Sequence, residues 1–318
     1  MKTTLKKLTA TAIFAAIATP TLAQDIVIGL PNWPSGSATA HVLKVAIETN
    51  LGLEVELQNG TNPIFFEGMD SGSIHVHPEV WLPNQQNLHD TFVKEKGSVV
   101  MNPNSATSFQ GMCVDTATAS AHGIEAIEDL TNPEVAALFD TDGDGMGELW
   151  GGATGWAATS IERIRAKSYG YDQTFELQEL DDTVAFGILA NAISAGEPWA
   201  GFCYTPHYIF SLHDMTVLKE PEHDPAQWNI TQPDESPNWL EISSAPVAWD
   251  SANLHIHYAK VLEQTHPNVA TLLNNASFDV DTVSGFTYAL SVEKMDPLDF
   301  AREWVSEHED EVLSWLTD

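Results

Sequence analysis

Basic residues are scarce in this 318-residue chain, which has 13 Lys and Arg against 45 Asp and Glu and a formal net charge of −32. An acidic surface of this kind repels phosphate backbones and anionic lipid headgroups. We therefore expect neither a nucleic-acid partner nor a membrane-surface partner.

Cysteine is also scarce, since the chain has two, Cys113 and Cys203. Two cysteines cannot build a zinc site without other ligands. In a compartment that permits disulfides they could pair across neighbouring strands, or they could be two small buried thiols. The sequence leaves both alternatives open.

Long apolar runs are missing after the N-terminus. At the N-terminus, Lys2, Lys6 and Lys7 precede the apolar run "LTATAIFAAIATPTLA". This pattern predicts a secretory signal peptide over residues 1–23, cleaved after Ala23, and it is too short and too early for a membrane span. Removing its three lysines takes the formal net charge from −32 to −35. We expect an exported, soluble protein with no direct membrane insertion.

Motifs for catalysis are lacking as well. The chain has no Gly-x-Ser-x-Gly elbow, and "WPSGSATAH" is an ordinary Gly/Ser loop before a helix. The pairs His75/His77 and His255/His257 have a spacing that suits zinc ligands on a strand. The second pair, however, falls in "SANLHIHYAKVLEQTHP", which we predict to be a helix, where this spacing points side chains apart. We predict no enzyme, and a secreted hydrolase is the distant alternative.

The order of strand and helix patterns predicts an α/β fold. A strand in "DIVIGLPNW", a helix that stops at Gly52, and the segments that follow give a β-α-β-α-β rhythm. This order predicts an open parallel sheet with helices on both faces. A second α/β stretch begins near "SFQGMCVD", so we predict two lobes with the second inserted into the first: residues 24–111 and 208–318 form lobe 1, and residues 112–207 form lobe 2. The crossover strands that hold Cys113 and Cys203 are the predicted hinge.

Four aromatic residues stand at predicted strand ends, two in each lobe. They are Trp33, Trp81, Trp156 and Tyr204. Ligands of such sheets bind beyond the carboxyl ends of the strands, here in the cleft between the lobes. A single tryptophan more often fills a core, but four at corresponding positions predict an aromatic box. Such a box suits a methylated ammonium group, whose charge is attracted to ring faces.

The stretch "FDTDGDGMGEL" has the spacing of a calcium loop. The expected ligands are Asp140, Asp142, Asp144, a backbone carbonyl near Met146, and Glu148. Gly151 stands where an EF-hand would place its bidentate Glu, and no exiting helix pattern follows, so a calcium sensor is not expected. The sequence predicts a structural Ca²⁺ as its cofactor, with a solvated acidic turn as the alternative.

Several of these motifs together resemble a known family. In its order and spacing of motifs, the chain resembles periplasmic substrate-binding proteins of ABC importers for glycine betaine, choline and related compounds. The motifs are "VWLPN", "FDTDGDGMGEL…GATGW", "YTPHYIF" and "HPNVATLLNN…REWVSEHEDEVLSWL". The resemblance spans nearly the whole mature chain. It implies a two-lobed, type II-like binding protein with a ligand cleft between the lobes and a two-strand hinge. It also implies a periplasmic monomer whose partners are a permease and an ATPase.

The resemblance also implies roles for particular residues. The ring positions of the family's box carry over to Trp81, Trp156 and Tyr204, and Trp33 matches an aromatic residue of choline-type members. Some betaine binders have a His four residues after the box Trp, where this chain has Gln85, and brace the Gly-Trp loop with a disulfide, where it has Gly152 and Ala158. In overall character the chain most resembles marine trimethylamine N-oxide-binding members.

Glu79 shares a strand face with Trp81, two residues on, and is a further candidate ligand-binding residue. An ionised carboxylate there would repel a betaine and favour choline, or share a hydrogen bond with trimethylamine N-oxide. A solvated carboxylate at the strand end is the alternative. We therefore expect trimethylamine N-oxide as the ligand, with choline next and glycine betaine or dimethylsulfoniopropionate as further alternatives.

Overall fold

The computed structural model describes residues 25–317, so the predicted signal peptide at residues 1–23 lies outside the described residues. Within that range, the helices are all too short or too polar to cross a bilayer. The fold is built on two separate β-sheets that are covered by helices.

The strands and helices alternate along most of the chain. In chain order the strands are β1 (Ile26–Leu30), β2 (Val55–Asn59), β3 (Val76–Leu82), β4 (Val99–Met101), β5 (Ala106–Ser108), β6 (Gln110–Asp115), β7 (Gly147–Gly152), β8 (Phe175–Glu179), β9 (Ala200–Tyr204), β10 (Met215–Val217) and β11 (Ala252–Ala259). The helices are α1 (Pro34–Leu51), α2 (Asn62–Ser71), α3 (Gln86–His89), α4 (Thr116–His122), α5 (Pro133–Ala136), α6 (Ala157–Tyr169), α7 (Asp182–Ala195), α8 (Ile209–Leu212), α9 (Trp239–Ile242), α10 (Leu262–Thr265), α11 (Pro267–Asn275), α12 (Val280–Ser291), α13 (Pro297–Glu307) and α14 (Glu309–Ser314).

The first sheet has the strand order β2-β1-β3-β11-β4, and β5 also pairs with β11. Strands β1, β2 and β3 run parallel, with helices α1 and α2 as their crossovers. The β-α-β-α-β prediction for this part of the chain is therefore confirmed. Helix α1 begins with Pro34 at its first turn and ends at Gly52, whose φ of 68° is the left-handed conformation that favours glycine.

The second sheet has the strand order β10-β6-β9-β7-β8. Strands β7, β8 and β9 are parallel, whereas β6 runs antiparallel to β9. Strand β10 joins this sheet at its edge by pairing with β6. The chain thus enters the second sheet after β5 and returns to the first sheet with β11.

The chain passes from the first sheet to the second at Phe109, and the end of β9 lies beside this crossing. Phe109 separates β5 from β6, and Thr205 directly follows β9. The Phe109 N–H donates to Thr205 Oγ1 at 3.0 Å, and the Thr205 N–H donates to the Phe109 carbonyl at 2.9 Å. The return crossing is the long connection from β10, in the second sheet, to β11, in the first. Rotation of the lobes about these crossings stays a prediction.

Cys113 and Cys203 form a disulfide bond, which decides between the two alternatives that the sequence left open. The bond joins β6 to β9 within the second sheet, where the Cα atoms are 5.8 Å apart. Both cysteines therefore lie in strands of the second sheet, and the crossing into that sheet is at Phe109.

The helix predicted over "SANLHIHYAKVLEQTHP" is wrong in its first half, because Ala252–Ala259 is strand β11. Strand β11 lies in the middle of the first sheet, where His257 pairs with His77 of β3. Burial lowers the pKa of His77 to about 3 and holds the pKa of His257 well below its usual range. Both imidazoles are therefore neutral core groups at physiological pH.

The long connection between β10 and β11 is anchored to the second lobe by a buried ion-pair network. Arg165 of α6 donates to Glu162 at 3.0 Å and to Glu220 at 2.5 Å, and all three side chains are buried. The Trp249 indole donates to Glu162 at 2.6 Å. Between these anchors, Gln232 lies against the carbonyl oxygens of Asn84 and Ala157 at 3.4 Å, one from each lobe.

Candidate ligand-binding site

The four predicted aromatic residues lie at the carboxyl ends of strands that face one another across the two lobes. Trp33 is the N-cap of α1 after β1, and Trp81 is the penultimate residue of β3. Trp156 is the N-cap of α6 after β7, and Tyr204 ends β9. The structure thus brings all four together, and two of the ring contacts join one lobe to the other.

The ring contacts are edge-to-face. The ring centroids of Trp33 and Trp156 are 6.1 Å apart at an interplanar angle of 84°. Those of Trp81 and Tyr204 are 5.4 Å apart at 89°, and those of Trp156 and Tyr204 are 6.0 Å apart at 77°. None of the four residues is more than 9 % exposed. The four rings are therefore largely shielded from solvent.

The rings line a small cavity of about 40 Å³. Its lining consists of Trp33, Asn62, Trp81, Asn84, Gln85, Gln110, Trp156, Ala157, Ala158, Phe202 and Tyr204. The space suits one small head group, because pockets for larger ligands have several hundred Å³. None of the described residues that line it is Lys, Arg or an acid.

Trp156 is held by contacts with both lobes. Its indole Nε1–H donates to Asn32 Oδ1 of the first lobe at 2.9 Å. The loop before it turns at Gly152, which has a φ of 115° and where a Cβ would meet Thr159 Oγ1 at 2.4 Å. A residue with a side chain at position 152 would displace α6 and the ring at its start.

The Tyr204 hydroxyl is held by the second lobe alone. Its hydroxyl donates to Asp182 Oδ2 at the start of α7, and His207 Nε2 lies 3.4 Å from the same oxygen. Burial, with Asp182 nearby, raises the pKa of Tyr204 well above its usual range. The phenol is therefore neutral and its ring is fixed in one orientation.

Glu79 lies behind the two rings of the first lobe. Its Oε1 accepts hydrogen bonds from Trp33 Nε1 at 2.7 Å, Ser35 Oγ at 2.8 Å and Trp81 Nε1 at 2.8 Å. The residue is 3 % exposed, so the alternative of a solvated carboxylate is wrong. Glu79 does not line the box cavity among the described residues, but it holds two of the rings that do.

The ionisation of Glu79 is set by opposing effects. Burial raises the pKa of the Glu79 carboxyl, and the hydrogen bonds from Trp33, Ser35 and Trp81 partly offset that rise. Three donors on one oxygen favour the carboxylate form. A cation held in the box would favour it further.

Carboxamide side chains form the polar part of the lining. Asn84 Nδ2 donates to Gln110 Oε1 at 2.6 Å, and Gln110 Nε2 donates to Asn84 Oδ1 at 2.9 Å. Gln85 is 2 % exposed, and its Oε1 is buried without a hydrogen-bond partner. Among these polar residues, the sequence analysis singled out only Gln85, as a position where the chain departs from a family pattern. It missed the other amides, since their pairing joins segments 26 residues apart.

The predicted calcium loop brings together three of its four acidic side chains. Asp140, Asp142 and Glu148 each have an oxygen within 4.8 Å of the others. Asp144 stays outside this group, and its Oδ1 accepts a hydrogen bond from the Met146 N–H at 2.8 Å. Three convergent carboxylates fit Ca²⁺, which takes hard oxygen ligands.

The acidic loop and the aromatic box lie at opposite ends of β7. The loop leads into the strand at Gly147, whereas Trp156 follows its other end at Gly152. A strand of six residues is roughly 20 Å long. An ion in the loop would therefore touch none of the residues that line the box.

Comparison with known proteins gives a family and a fold. The model of the family OpuAC, the substrate binding domain of ABC-type glycine betaine transport systems, matches residues 24–307. The glycine betaine/L-proline-binding protein ProX of Borrelia burgdorferi has a similar fold, with a TM-score of 0.72 at 20 % identity over 92 % of this chain and 97 % of that one.

Two relatives with assigned ligands are similar to this chain. The trimethylamine N-oxide-binding protein of Pelagibacter ubique is 23 % identical over 90 % of this chain and 88 % of its own. The glycine betaine/proline betaine-binding periplasmic protein of Salmonella typhimurium is 18 % identical over 65 % of this chain, and the match spans 63 % of that protein. Because the family model covers most of the described residues, the chain belongs to the family of substrate-binding domains of ABC-type glycine betaine transport systems.

Proposed function

We propose that the protein is the periplasmic solute-binding component of an ABC importer and that it captures a small methylated amine, trimethylamine N-oxide before others. The observation that carries this proposal is the meeting of four aromatic rings around one small cavity between the lobes. The predicted signal peptide and the periplasmic relative support the location. A membrane permease with its ATPase would receive the ligand.

The chemistry of the box favours a methylated ammonium group. Aromatic faces attract its diffuse positive charge by about 0.5–2 kcal/mol for each ring. A ligand bound at micromolar Kd has about 8 kcal/mol of affinity. Three or four rings account for a large part of that free energy, and the buried Glu79 behind two of them adds a negative charge.

The polar end of the ligand decides among the methylated amines. A buried carboxylate needs either several converging donors, as Glu79 has, or a positively charged partner, and the described cavity lining contains no Lys or Arg. Trimethylamine N-oxide is the smallest of the four candidate ligands and ends in one oxygen atom, which suits a cavity of about 40 Å³. The named function of the Pelagibacter relative agrees with this choice. Choline is the alternative, followed by glycine betaine and dimethylsulfoniopropionate.

Isothermal titration of the purified protein with these four ligands is the direct test. We expect the tightest binding for trimethylamine N-oxide, recovery of the ligand unchanged, and compaction in small-angle scattering as the lobes close. Binding of none of the four ligands would refute the proposal, and turnover of the ligand would favour the hydrolase alternative.

We further propose that Asp140, Asp142 and Glu148 hold a structural Ca²⁺ that stabilises the fold without taking part in ligand binding. Metal that binds only the folded state stabilises it by about 2.7 kcal/mol at a hundredfold excess over its Kd. Chelation is therefore expected to lower the melting temperature by several degrees, with full recovery when Ca²⁺ is restored. The Kd for trimethylamine N-oxide should change less than twofold, since β7 separates the loop from the box.

The matched control for chelation is Asp142→Asn, which removes one carboxylate charge from the group. Its melting temperature should respond little to chelator. If chelator also left the melting temperature of the wild type unchanged, the loop would be a solvated acidic turn without Ca²⁺. A large loss of ligand affinity on chelation would contradict the separation of the two sites.

A further inference from the structure

We propose that Asp182, at the start of α7, is a buried negative charge of the second lobe that acts from behind Tyr204 and strengthens the binding of a positively charged head group in the box. This inference rests on the proposed function, since it adds a determinant of selectivity to the same box. Two observations carry it. The Asp182 carboxylate accepts a hydrogen bond from the hydroxyl of a box ring, and its Oδ1 is buried without a hydrogen-bond partner.

The protein itself compensates the Asp182 charge poorly. The residue is 1 % exposed, and among the described residues the one basic group within 4 Å of its carboxylate is His207, whose Nε2 lies 3.4 Å from Oδ2. His207 Nδ1 accepts from the Ile209 N–H at 3.3 Å, so the ring carries its proton on Nε2 and adds no full charge. Buried charges normally have a charged partner. A cation in the box would supply one.

The position of Asp182 in its helix favours the ionised form. Asp182 is the first residue of α7, a helix of 14 residues. The peptide dipoles of a helix place partial positive charge at this end, which stabilises a carboxylate there. The Tyr204 hydroxyl, as a donor to Oδ2, has the same effect.

A second buried carboxylate backs the neighbouring ring from the first lobe. Glu79 accepts from Trp81 Nε1 at 2.8 Å, and the Trp81 ring packs edge-to-face on Tyr204 at a centroid distance of 5.4 Å. Burial, and then the negative charges of Asp182 and Glu79, raise the pKa of Tyr204 well above its usual range. Each lobe therefore places one negative charge behind this pair of rings, and a cation among the rings is attracted to both.

The charge acts through space and not by contact. Asp182 lies outside the described lining of the cavity, so it touches the hydroxyl end of Tyr204 and not the ligand. Coulomb attraction falls only with the first power of distance, and it is strong where water is excluded. A ligand with a net positive charge gains the whole attraction. A ligand with its own negative oxygen, such as trimethylamine N-oxide, gains only part of it.

The test compares Asp182→Asn with the wild type by isothermal titration of three probes: choline, tetramethylammonium and trimethylamine N-oxide. Asparagine keeps the size of the side chain and an oxygen for the Tyr204 hydroxyl, but it removes the charge. The Kd values for choline and tetramethylammonium should each rise about fivefold. The Kd for trimethylamine N-oxide should rise less than twofold, so the variant loses selectivity for the two cations.

Asp181→Asn is the matched control, because it removes an equal charge from the neighbouring residue, which is exposed and whose side chain does not cap α7. It should leave all three Kd values unchanged. Asp182→Glu keeps the charge and should keep the wild-type ratio of Kd values between choline and trimethylamine N-oxide.

Equal losses for all three probes in Asp182→Asn would mean that Asp182 only holds the Tyr204 ring, and this result would overturn the inference. No loss for the two cations, or the same loss of selectivity in Asp182→Glu, would overturn it as well. Asp182→Ser, which is also uncharged and keeps an oxygen, repeats the test should the asparagine variant not fold. Failure of the wild type to bind any probe would instead refute the proposed function.

Discussion

Replacing Trp156 with alanine is expected to raise the Kd for trimethylamine N-oxide at least tenfold. The indole contributes a ring face worth about 1–2 kcal/mol to a cation, and it also contacts Trp33 and Tyr204. Its N–H bond to Asn32 also links the two lobes. Choline and glycine betaine should lose a similar factor, because the ring binds the methyl groups that all these ligands share. Isothermal titration of each ligand measures the effect.

Trp228→Ala is the control for loss of a tryptophan from the same region. Trp228 packs on Trp249 at a centroid distance of 5.2 Å, outside the described lining of the box. Its alanine variant should bind ligand as the wild type does. If both variants lost affinity equally, the effect of Trp156→Ala would be one of lobe stability, and the ring would not be a ligand contact.

The positions of the aromatic residues could be predicted from sequence because the signals are local. Each ring stands where a strand pattern gives way to Gly or Pro, and parallel strands that alternate with helices place such points at one edge of a sheet. Strands β1 and β3 therefore present Trp33 and Trp81 side by side once their crossovers are known. The same reasoning applied in the second lobe gave Trp156 and Tyr204.

The nature of β11 could not be predicted in this way, because its pairing is entirely long-range. Apolar and polar residues alternate in "NLHIHYA", but the following "KVLEQTH" continues a helical spacing, and the two patterns merge. Hydrogen-bonded pairing with β3, β4 and β5 makes this segment a strand. Tertiary contacts override local propensity at such central strands.

The partners of Glu79 were beyond sequence reasoning for the same reason. Strand alternation places Glu79 and Trp81 on one face, but it does not show that the carboxylate points inward against two indoles. The donors Trp33 and Ser35 come from the start of α1, more than 40 residues earlier in the chain. Burial of the charge follows from that convergence.

Replacing Glu79 with glutamine is expected to be the most selective change in the site. It removes the charge behind Trp33 and Trp81 while keeping nearly the same shape. The charge lies behind the rings and does not contact the ligand, so its loss removes a through-space attraction, and a ligand with a net positive charge, such as choline, should bind roughly tenfold more weakly. Trimethylamine N-oxide should also lose affinity, by a smaller factor. Glycine betaine should be spared or improved, because repulsion of its carboxylate is gone.

The pH dependence of choline binding shows whether Glu79 acts through its negative charge or only by holding the two indole rings in place. Burial raises the pKa of Glu79, and a cation in the box stabilises its ionised form, so binding releases a proton below that pKa. Choline affinity of the wild type should therefore fall as pH decreases through the raised pKa, and Glu79→Gln should show a flat profile. The control Glu67→Gln removes an equal charge from an exposed position on α2 and should keep the wild-type profile. Equal losses for choline and glycine betaine in Glu79→Gln, with no change in pH dependence, would reduce Glu79 to a residue that only positions the two indoles.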